Sequence, residues 1–467
     1  MYSDSTPHPE APLWLEIPED FAGLDGKLWP CGTRRNTSGE LTLAGHRVSD
    51  LVAEYGTPLY VFDEQDFRAR ARGFVEHFPS WSIHYAGKSF LSRTVARWID
   101  EEGLNLDVCS GNELSLALSA GFPAERISLH GNNKTIEELR YALTEGIGAI
   151  VVDSFDEIDR LRVIAFDMGK PAPVMIRVTT GIHAETHQYV ATSHEDQKFG
   201  FSIHSGQAMD ALVTCWEQPQ FDLLGIHSHI GSQILNMDGY ARASQITLLL
   251  ARDFHCATNN HIREVNFGGG FGVPYLPSDE PWDIENLSDT LIRHAEKGVH
   301  YYDLPDIHFA LEPGRAISGP PGVALYRVGT IKTVDLGDGL SRRYISVDGG
   351  MSDNIRTALY DADYTAILAN RVSTADGVLS RVVGIHCETG DVLVKDVYLP
   401  ADIEVGDILA IPVAGAYSRS MASNYNYALK AAVVAVVPGE SQIMIRRETL
   451  DDLLRLDMGP HGCERSP

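Results

Sequence analysis

Residues 82–108 read SIHYAGKSFLSRTVARWIDEEGLNLDV, and this stretch contains the pattern that decides the fold. The apolar runs Ile83–Ala86 and Leu104–Val108 have the length of buried strands. Between them, Ser89–Glu102 has helical length, and its apolar residues recur at spacings of three and four on one face: Val95, Ala96, Trp98 and Ile99. A strand, a helix and a second strand in this order predict parallel strands joined by a helical crossover.

The same alternation continues until eight apolar runs have passed. They are Ile83–Ala86, Leu104–Val108, Ile127–His130, Ala149–Val152, Val174–Thr179, Phe221–His229, Glu264–Phe267 and Ile307–Leu311. Eight strand–helix units are the number that closes a parallel barrel. A doubly wound open sheet is the competing architecture, but it usually carries its glycine-rich turn after the first strand. Here the glycines come late, which favours an α/β fold built on a (β/α)8 TIM barrel.

Segments rich in β-formers, without long helices between them, follow Pro320. They are Val323–Thr333, Tyr344–Val347, Arg381–His386, Ile408–Val413 and Ala431–Val437. Their valine and isoleucine content, with turns such as Asp338-Gly339, predicts a C-terminal antiparallel β domain. The expected divisions are 1–58 for an N-terminal segment joining the β domain, 59–320 for the barrel, 321–445 for the C-terminal β domain and 446–467 for a C-terminal helix and tail.

Composition limits the class of protein. The 467 residues, 44% hydrophobic and 22% charged, are ordinary for a soluble globular chain of two domains. The net charge of −26 argues against nucleic acid or anionic lipid as a partner. Six cysteines form no C-x-x-C pair, and the N-terminus lacks a signal-peptide pattern, so a cytoplasmic location is expected. No run of 18 apolar residues predicts a membrane span.

Polar residues follow the apolar runs, at the strand ends that converge on the mouth of a barrel. Lys88 after the first run is either a solvated surface lysine or an amine that forms a Schiff base with a carbonyl cofactor. Gly268–Gly270 follow the seventh run and Glu312-Pro313-Gly314-Arg315 end the eighth. Glycines let backbone N–H groups approach an anion, and an arginine adds a charged fork. Together these residues predict a cofactor that carries both a phosphate and a carbonyl group.

An ordered set of sequence elements resembles the signature of the diaminopimelate decarboxylase family. The elements are Tyr85-Ala86-x-Lys88, His227-Ser228-His229-Ile230-Gly231-Ser232-Gln233, Gly268–Gly270, Glu312-Pro313-Gly314-Arg315, Asp348-Gly349-Gly350-Met351, Cys387-Glu388-x-Gly390-Asp391 and Gly415-Ala416-Tyr417. Within the family the chain is most similar to the actinobacterial branch, through His130–Lys134, His194–Gly200 and Asp353–Tyr360.

The resemblance implies an alanine racemase-like barrel of fold type III with pyridoxal 5'-phosphate as the cofactor. It makes Lys88 the attachment point, lays His229 against the pyridine ring and pairs Glu312 with the pyridine nitrogen. Asp107 is either near the cofactor or an ordinary strand-end aspartate. The implied cofactor-binding residues are Lys88, His229, Ser232, Gly268, Gly269, Gly270, Glu312, Pro313, Gly314, Arg315 and Tyr417. The implied catalytic residues are Lys88, Cys387 and His229, and the implied substrate-binding residues are Arg315, Arg356, Tyr360, Glu388 and Tyr417. No metal is implied.

The implied reaction is decarboxylation of meso-2,6-diaminopimelate at its D-centre to L-lysine and carbon dioxide, the last step of lysine biosynthesis. Cys387 is expected to return a proton to the carbanion that remains after decarboxylation. In the family the Cys-Glu loop enters the active site of the other subunit, so a homodimer with shared active sites is expected. The expected partner is a small amino-acid substrate, with neither nucleic acid nor membrane.

Three alternatives stay open from the sequence. Another decarboxylase of this class would act on ornithine, arginine or a carboxylated polyamine. A non-catalytic relative that binds the cofactor would have lost Lys88 or Cys387, and both are present. A racemase would be expected to use a tyrosine base in place of the Cys-Glu loop.

Overall fold

The structure, a computed structural model, describes residues 8–182 and 198–459. These residues form two compact units. Of the described residues, unit 1 comprises 8–66, 274–279 and 319–459, and unit 2 comprises 67–182, 198–273 and 280–318. Within the described part of the chain, no helix is both long and apolar enough to cross a membrane.

The N-terminal part of unit 1 begins with a small antiparallel sheet. Its strands are β1 (Arg34–Arg35), β2 (Leu41–Leu43) and β3 (His46–Arg47). Helix α1 (Val48–Tyr55) and strand β4 (Leu59–Asp63) follow, and every residue of β4 is buried.

Unit 2 is a barrel of parallel strands. Its strands are β5 (Ser82–Ala86), β6 (Asn105–Val108), β7 (Ile127–Leu129), β8 (Ala149–Val152), β9 (Ala172–Thr179), β11 (Phe221–Ser228), β12 (Glu264–Asn266) and β13 (His308–Leu311), and β10 (Phe201–Ser202) adds a short strand on β9. Pairing of β8 with β9 and of β13 with β5 closes the ring. The predicted barrel is therefore confirmed, and each of its eight strands overlaps one of the apolar runs in the sequence.

Helices precede, connect and follow the barrel strands along the chain. They are α2 (Glu64–His77), α3 (Arg93–Glu101), α4 (Gly111–Ser119), α5 (Ile136–Glu145), α6 (Phe155–Met168), α7 (Gln207–Glu217), α8 (Asp238–Thr258), α9 (Ile284–Tyr301) and the short α10 (Arg315–Ser318). The apolar residues expected to form one face of α3 are its buried residues. Ser92 begins α3 by accepting the Val95 N–H, and Thr135 begins α5 with a reciprocal pair involving Glu138. Such caps satisfy backbone donors that the first helical turn leaves unpaired.

The rest of unit 1 is built on a mixed sheet. Its elements are β14 (Gly322–Gly337), β15 (Leu340–Val347), α11 (Arg356–Tyr360), β16 (Ile367–Leu368), β17 (Gly377–Val383), β18 (Val392–Pro400), β19 (Ile408–Ile411), β20 (Ala432–Val437), β21 (Glu440–Ile445) and α12 (Leu450–Leu454). The strand order is β18-β17-β15-β14-β4-β20-β21, with β19 paired to β14 and β16 paired to β19.

Most pairs in this sheet are antiparallel, as the sequence predicts, but β15 pairs with β17 and β4 with β20 in parallel. The long connection between β15 and β17 permits the first of these pairs, since parallel neighbours need a crossover. The domain boundaries drawn from the sequence stay predictions. The expected division between residues 58 and 59 would put β4 in the barrel, whereas in the structure β4 pairs with β14 and β20.

A buried aspartate secures the loop that follows β15. Asp353 is 4% exposed, and its Oδ2 accepts the Gly350 N–H at 3.0 Å. The Tyr60 hydroxyl donates to the Asp353 carbonyl oxygen at 2.6 Å. Burial raises the pKa of the Asp353 carboxyl to about 7, although the bond from Gly350 acts in the opposite direction. The carboxyl therefore keeps its proton over a pH range in which an unfolded aspartate has lost it.

We expect Asp353 to make the free energy of unfolding fall as the pH rises. The folded chain retains the proton up to about pH 7 and the unfolded chain only to about pH 4. The contribution is fully present below pH 4 and is lost between these values, at up to about 1.4 kcal/mol per pH unit. Asp353→Asn should flatten the difference between urea midpoints at pH 5 and pH 8. Asp376→Asn, at an exposed position of unit 1, should leave it as in wild type. An unchanged difference in Asp353→Asn would contradict the assignment.

Candidate active site

Lys88 lies directly after β5, in the short turn Gly87–Ser89, and its side chain is exposed. A Cβ at Gly87 would lie 2.9 Å from the Asp107 carbonyl oxygen, so the turn has no room for a side chain there. Ser89 is buried and donates to the Ala86 carbonyl oxygen at 2.9 Å. Gly87 and Ser89 thus fix the turn on either side of Lys88, whose side chain is exposed.

The glycines after β12 allow their backbone to approach the backbone of neighbouring loops closely. A Cβ added at Gly268 would lie 2.4 Å from the Ser228 carbonyl oxygen, and one at Gly269 would lie 2.0 Å from that of Glu312. Gly270 has a φ of +105°, and its added Cβ would lie 2.2 Å from the Gly231 carbonyl oxygen. These approaches exclude every other residue type. The loop after β12 therefore packs closely between the loops that follow β11 and β13.

His229 stands next to this loop. The Gly269 N–H donates to His229 Nδ1 at 3.2 Å, which places the proton of a neutral ring on Nε2. Burial, and then the charges of Lys88 and Arg177, hold the pKa of His229 well below its usual value. The ring is therefore neutral at physiological pH and has one orientation. A neutral flat ring is suited to stacking on an aromatic cofactor.

Glu312, at the end of β13, is buried among hydrogen-bonding side chains. Asn266 donates to its Oε1 at 2.9 Å, and His130 Nε2 lies 3.1 Å from the same oxygen. His227 Nε2 lies 3.0 Å from Oε2. Burial alone would raise the pKa of Glu312, but His227 and His130 hold it well below its usual value. The carboxylate is therefore ionised.

A second carboxyl in the barrel behaves differently. The Asp107 side chain is buried, and its Oδ1 lies 3.6 Å from His130 Nε2. Burial raises the pKa of Asp107 to about 6. Two neighbouring carboxyls with different proton affinities allow one to stay charged while the other takes up a proton.

The side chains of His130, His227 and Glu312 could also hold a metal ion, since one ligand atom from each lies within 4.8 Å of the others. His227 Nε2 forms a hydrogen bond with Glu312 Oε2 at 3.0 Å, whereas His130 Nε2 lies 3.1 Å from Glu312 Oε1 as a close ion-pair contact.

Arg315 completes the group in unit 2. It begins α10, is 8% exposed and donates through Nη2 to Ser232 Oγ at 2.9 Å. The pair brings a guanidinium and a hydroxyl together from the loops after β13 and β11. These are the donor types that hold phosphate groups in proteins.

The other predicted residues belong to unit 1. Arg356 begins α11 and is buried, and Tyr360 ends the same helix. Tyr417 has a φ of +57°, in the left-handed region that non-glycine residues rarely occupy. Such backbone strain is commonest at functional sites.

Cys387 and Glu388 are exposed on the loop between β17 and β18. The buried Asp391 carboxylate fixes this loop by accepting the His386 N–H at 2.7 Å and the Met351 N–H at 2.6 Å. Tyr425 donates its hydroxyl proton to Glu388 Oε1. The loop therefore has a rigid base and an accessible tip that carries the thiol.

The structure brings together in unit 2 the predicted Lys88, His229, Ser232, Gly268, Gly269, Gly270, Glu312, Pro313, Gly314 and Arg315. It places Arg356, Tyr360, Cys387, Glu388 and Tyr417 in unit 1. Residues 194–197 of the quoted segment His194–Gly200 lie outside the described residues. The sequence patterns predict no functional role for Asn266, His130, His227, Tyr275, Tyr364, Tyr425 or Asp391. Asn266 and His130 lie at strand ends, and this position is the sequence signal that identifies them.

Comparison with known proteins gives the family. The family model described as "Pyridoxal-dependent decarboxylase, pyridoxal binding domain" matches residues 64–319. The chain belongs to the pyridoxal-dependent decarboxylases. It is 46% identical over 462 residues to diaminopimelate decarboxylase of Mycobacterium leprae, covering 98% of each chain. It is 49% identical over 440 residues to that of Mycobacterium bovis, covering 93% of this chain and 98% of the relative.

A solved structure agrees with these sequence matches. The diaminopimelate decarboxylase from M. jannaschii in complex with L-lysine superposes with a TM-score of 0.86 at 28% identity, covering 93% of this chain and 99% of the other. The chain is an enzyme of the pyridoxal phosphate-dependent type, and its barrel has the alanine racemase-like fold.

The barrel of this decarboxylase has the donor set that pyridoxal phosphate requires. An exposed amine is available from Lys88, and an ionised carboxylate from Glu312. The Arg315–Ser232 pair has donors suited to an anion, and the nearby loop Gly268–Gly270 carries no side chain that would block it. The Gly268 and Gly269 N–H groups already donate to Asn266 and His229. The residues present therefore fit the cofactor.

We expect Gly269→Ala to weaken cofactor binding. The new methyl group would meet the Glu312 carbonyl oxygen, which belongs to the backbone and cannot rotate away. A forced shift of this kind costs about 1–3 kcal/mol, or roughly tenfold to a hundredfold in the dissociation constant. Titration of the apoenzyme with pyridoxal phosphate, followed by visible absorbance, measures this constant. Gly239→Ala is the control, because its added Cβ faces only the flexible end of Ile230 at 3.3 Å. Equal affinity of both variants for pyridoxal phosphate would contradict a role of the Gly268–Gly270 loop in cofactor binding.

Proposed function

We propose that this decarboxylase acts on meso-2,6-diaminopimelate, releasing carbon dioxide from the D-centre and leaving L-lysine, the last step of lysine biosynthesis. The observation that carries the proposal is Arg356, a buried guanidinium whose neighbouring groups among the described residues are tyrosines and not carboxylates. A buried charge needs a counter-ion. Diaminopimelate brings one, since it differs from ornithine and the other simple diamino acids by a second carboxylate.

The comparisons support the same substrate. The two mycobacterial relatives are diaminopimelate decarboxylases over nearly their full length, and the archaeal structure holds L-lysine. L-lysine retains the carboxylate of the L-centre, which is the end of diaminopimelate that does not react.

We propose that the barrel residues hold and tune the cofactor. Lys88 provides the amine that binds its carbonyl group, and Gly268–Gly270, Ser232 and Arg315 hold its phosphate. The neutral ring of His229 would stack on the cofactor, and the charged Glu312 would accept a hydrogen bond from the pyridine N–H. Pro313 and Gly314 shape the turn between Glu312 and Arg315. When bound, pyridoxal phosphate supplies an electron sink for the pair left on the α-carbon as carbon dioxide departs.

We propose that residues of unit 1, together with Arg315 of unit 2, bind the substrate, and that Cys387 of unit 1 returns the proton. Arg356 pairs with the distal carboxylate, and Tyr360, Tyr417 and Arg315 add hydrogen bonds. Glu388 accepts from the distal ammonium group. The Cys387 thiol, at the tip of an accessible loop, donates a proton to the α-carbon after decarboxylation. Tyr417 also contacts the cofactor in this proposal.

We expect the purified holoenzyme to release carbon dioxide and L-lysine from meso-diaminopimelate and to leave ornithine and arginine unchanged. Arg356→Met should raise KM for diaminopimelate by roughly tenfold to a hundredfold, because a hydrogen bond to a charged group contributes about 1.5–3 kcal/mol. Arg381→Met removes another arginine of unit 1 and serves as the control. No turnover of diaminopimelate by fully loaded enzyme would refute the substrate, and a KM unaffected by Arg356→Met would favour a diamino-acid decarboxylase.

We also propose that the enzyme is a homodimer in which the partner's Cys387 completes each active site. The rigid base and exposed tip of the Cys387–Glu388 loop support this proposal, because they suit a loop that reaches outward. A cytoplasmic location stays a prediction.

A heterodimer of Lys88→Ala and Cys387→Ala subunits tests the shared site. If the loop acts in the partner subunit, one site of the heterodimer carries both lesions and the other carries neither. A heterodimer isolated with two affinity tags should then recover about half of the wild-type activity. Each homodimeric variant should remain nearly inactive. If each loop acts within its own subunit, every site keeps one lesion and the heterodimer stays inactive.

A further inference from the structure

Two tyrosines surround the guanidinium of Arg356. Its Nη1 donates to the Tyr364 hydroxyl, and its central carbon lies 4.5 Å from the centroid of the Tyr275 ring. The Tyr364 ring centroid is 5.4 Å away. The two rings meet edge to face, with centroids 5.1 Å apart and planes at 75°. The guanidinium therefore has one nitrogen committed to a hydroxyl and a neighbouring aromatic face.

The arrangement leaves part of the guanidinium for a ligand. Arg356 Nε is buried and meets no hydrogen-bond acceptor among residues 8–182 and 198–459. A cation near an aromatic face gains about 0.5–2 kcal/mol, which reduces the cost of burial but supplies no negative charge. A carboxylate that accepts from two nitrogens of the fork would supply both the charge and the missing hydrogen bond.

Tyr275 is held firmly in its place. It is 7% exposed and belongs to the segment 274–279, which is part of unit 1. The amides of Tyr275 and Leu276 donate to Asp279 Oδ2 at 2.8 and 3.0 Å. Lys27 Nζ donates to the carbonyl oxygens of Pro277 and Asp279 at 2.9 and 3.2 Å. A residue fixed in this way limits the positions that the arginine side chain can take.

We infer that Tyr275 and Tyr364 are positioning residues for substrate selection, which orient Arg356 toward the carboxylate of the non-reacting end of the substrate. Tyr364 fixes the plane of the guanidinium through its hydroxyl, and Tyr275 restrains it through the ring face. The inference rests on the proposed function for the identity of that carboxylate. Its consequence is that the two tyrosines affect ligands with this carboxylate and leave ligands without it unaffected.

Two ligands isolate the effect. L-lysine has the carboxylate in question, and pentane-1,5-diamine is the same molecule without it. Dissociation constants of both are measured on the holoenzyme from the change in cofactor absorbance, together with kcat and KM for meso-diaminopimelate. Tyr275→Leu should weaken L-lysine about tenfold, in line with the loss of the ring face. It should raise KM more than it lowers kcat and should leave the affinity for the diamine within twofold.

Conservative variants distinguish an effect on the orientation of Arg356 from a general effect on folding. Tyr275→Phe keeps the ring face and should regain most of the affinity for L-lysine. Tyr364→Phe keeps a ring but removes the hydroxyl, and it should weaken L-lysine without weakening the diamine. Tyr344→Leu removes a tyrosine beside another arginine of unit 1, Arg381, and should change neither ligand.

The outcomes distinguish this inference from the proposed function. If wild-type enzyme does not turn over diaminopimelate, the proposed function fails. If wild type is active but Tyr275→Leu and Tyr364→Phe weaken both ligands equally, or neither, the positioning role is refuted. If Tyr275→Leu does not fold, the comparison of Tyr364→Phe with wild type decides in the same way.

Discussion

The close contact of three backbone segments is the constraint on which the barrel site depends. Gly268–Gly270 lie so near the carbonyl oxygens of Ser228, Gly231 and Glu312 that no side chain fits between them. This contact draws the loops after β11, β12 and β13 together at one point. His229 and Arg315 extend from two of these loops, so their proximity follows from the glycines and from the closure of the strand ring.

The charge of each buried carboxyl in the barrel is set by the side chains around it. Glu312 stays ionised in a buried position because histidines and an asparagine surround both of its oxygens. Burial raises the pKa of Asp107, so this carboxyl retains its proton more readily, and its polar neighbours His130 Nε2 and Cys109 Sγ lie at 3.6 and 3.9 Å. The difference arises from the residues around each carboxyl, since the two acids share the same interior. His130 and His227 thus help to keep Glu312 ionised.

Sequence patterns predicted the barrel because strand burial and helix amphipathicity are local properties of the chain. The same patterns gave the glycine run, Lys88 and the Glu-Pro-Gly-Arg turn, each directly after a recognisable strand. Strand β18 (Val392–Pro400) was missed, because its apolar run is interrupted by Lys395 and Asp396. The pairing of β4 also cannot be predicted from local sequence patterns, because its partners β14 and β20 lie far away along the chain. The contacts of Tyr275 with Arg356 and of Asp391 with the Cys387 loop form only on folding, and no local sequence signal identifies either residue.

The position of Tyr275 along the chain has a consequence for how such enzymes can diverge. Tyr275 follows the glycine loop within a few residues. The glycine loop belongs to unit 2, whereas the segment 274–279 that contains Tyr275 belongs to unit 1. An insertion or deletion there would alter both the glycine loop and the surroundings of Arg356. Natural variation in ligand preference should therefore accumulate through single replacements around Arg356, while the length of this stretch stays constant. Designers who wish to retarget the enzyme face the same restriction and would leave the loop length untouched.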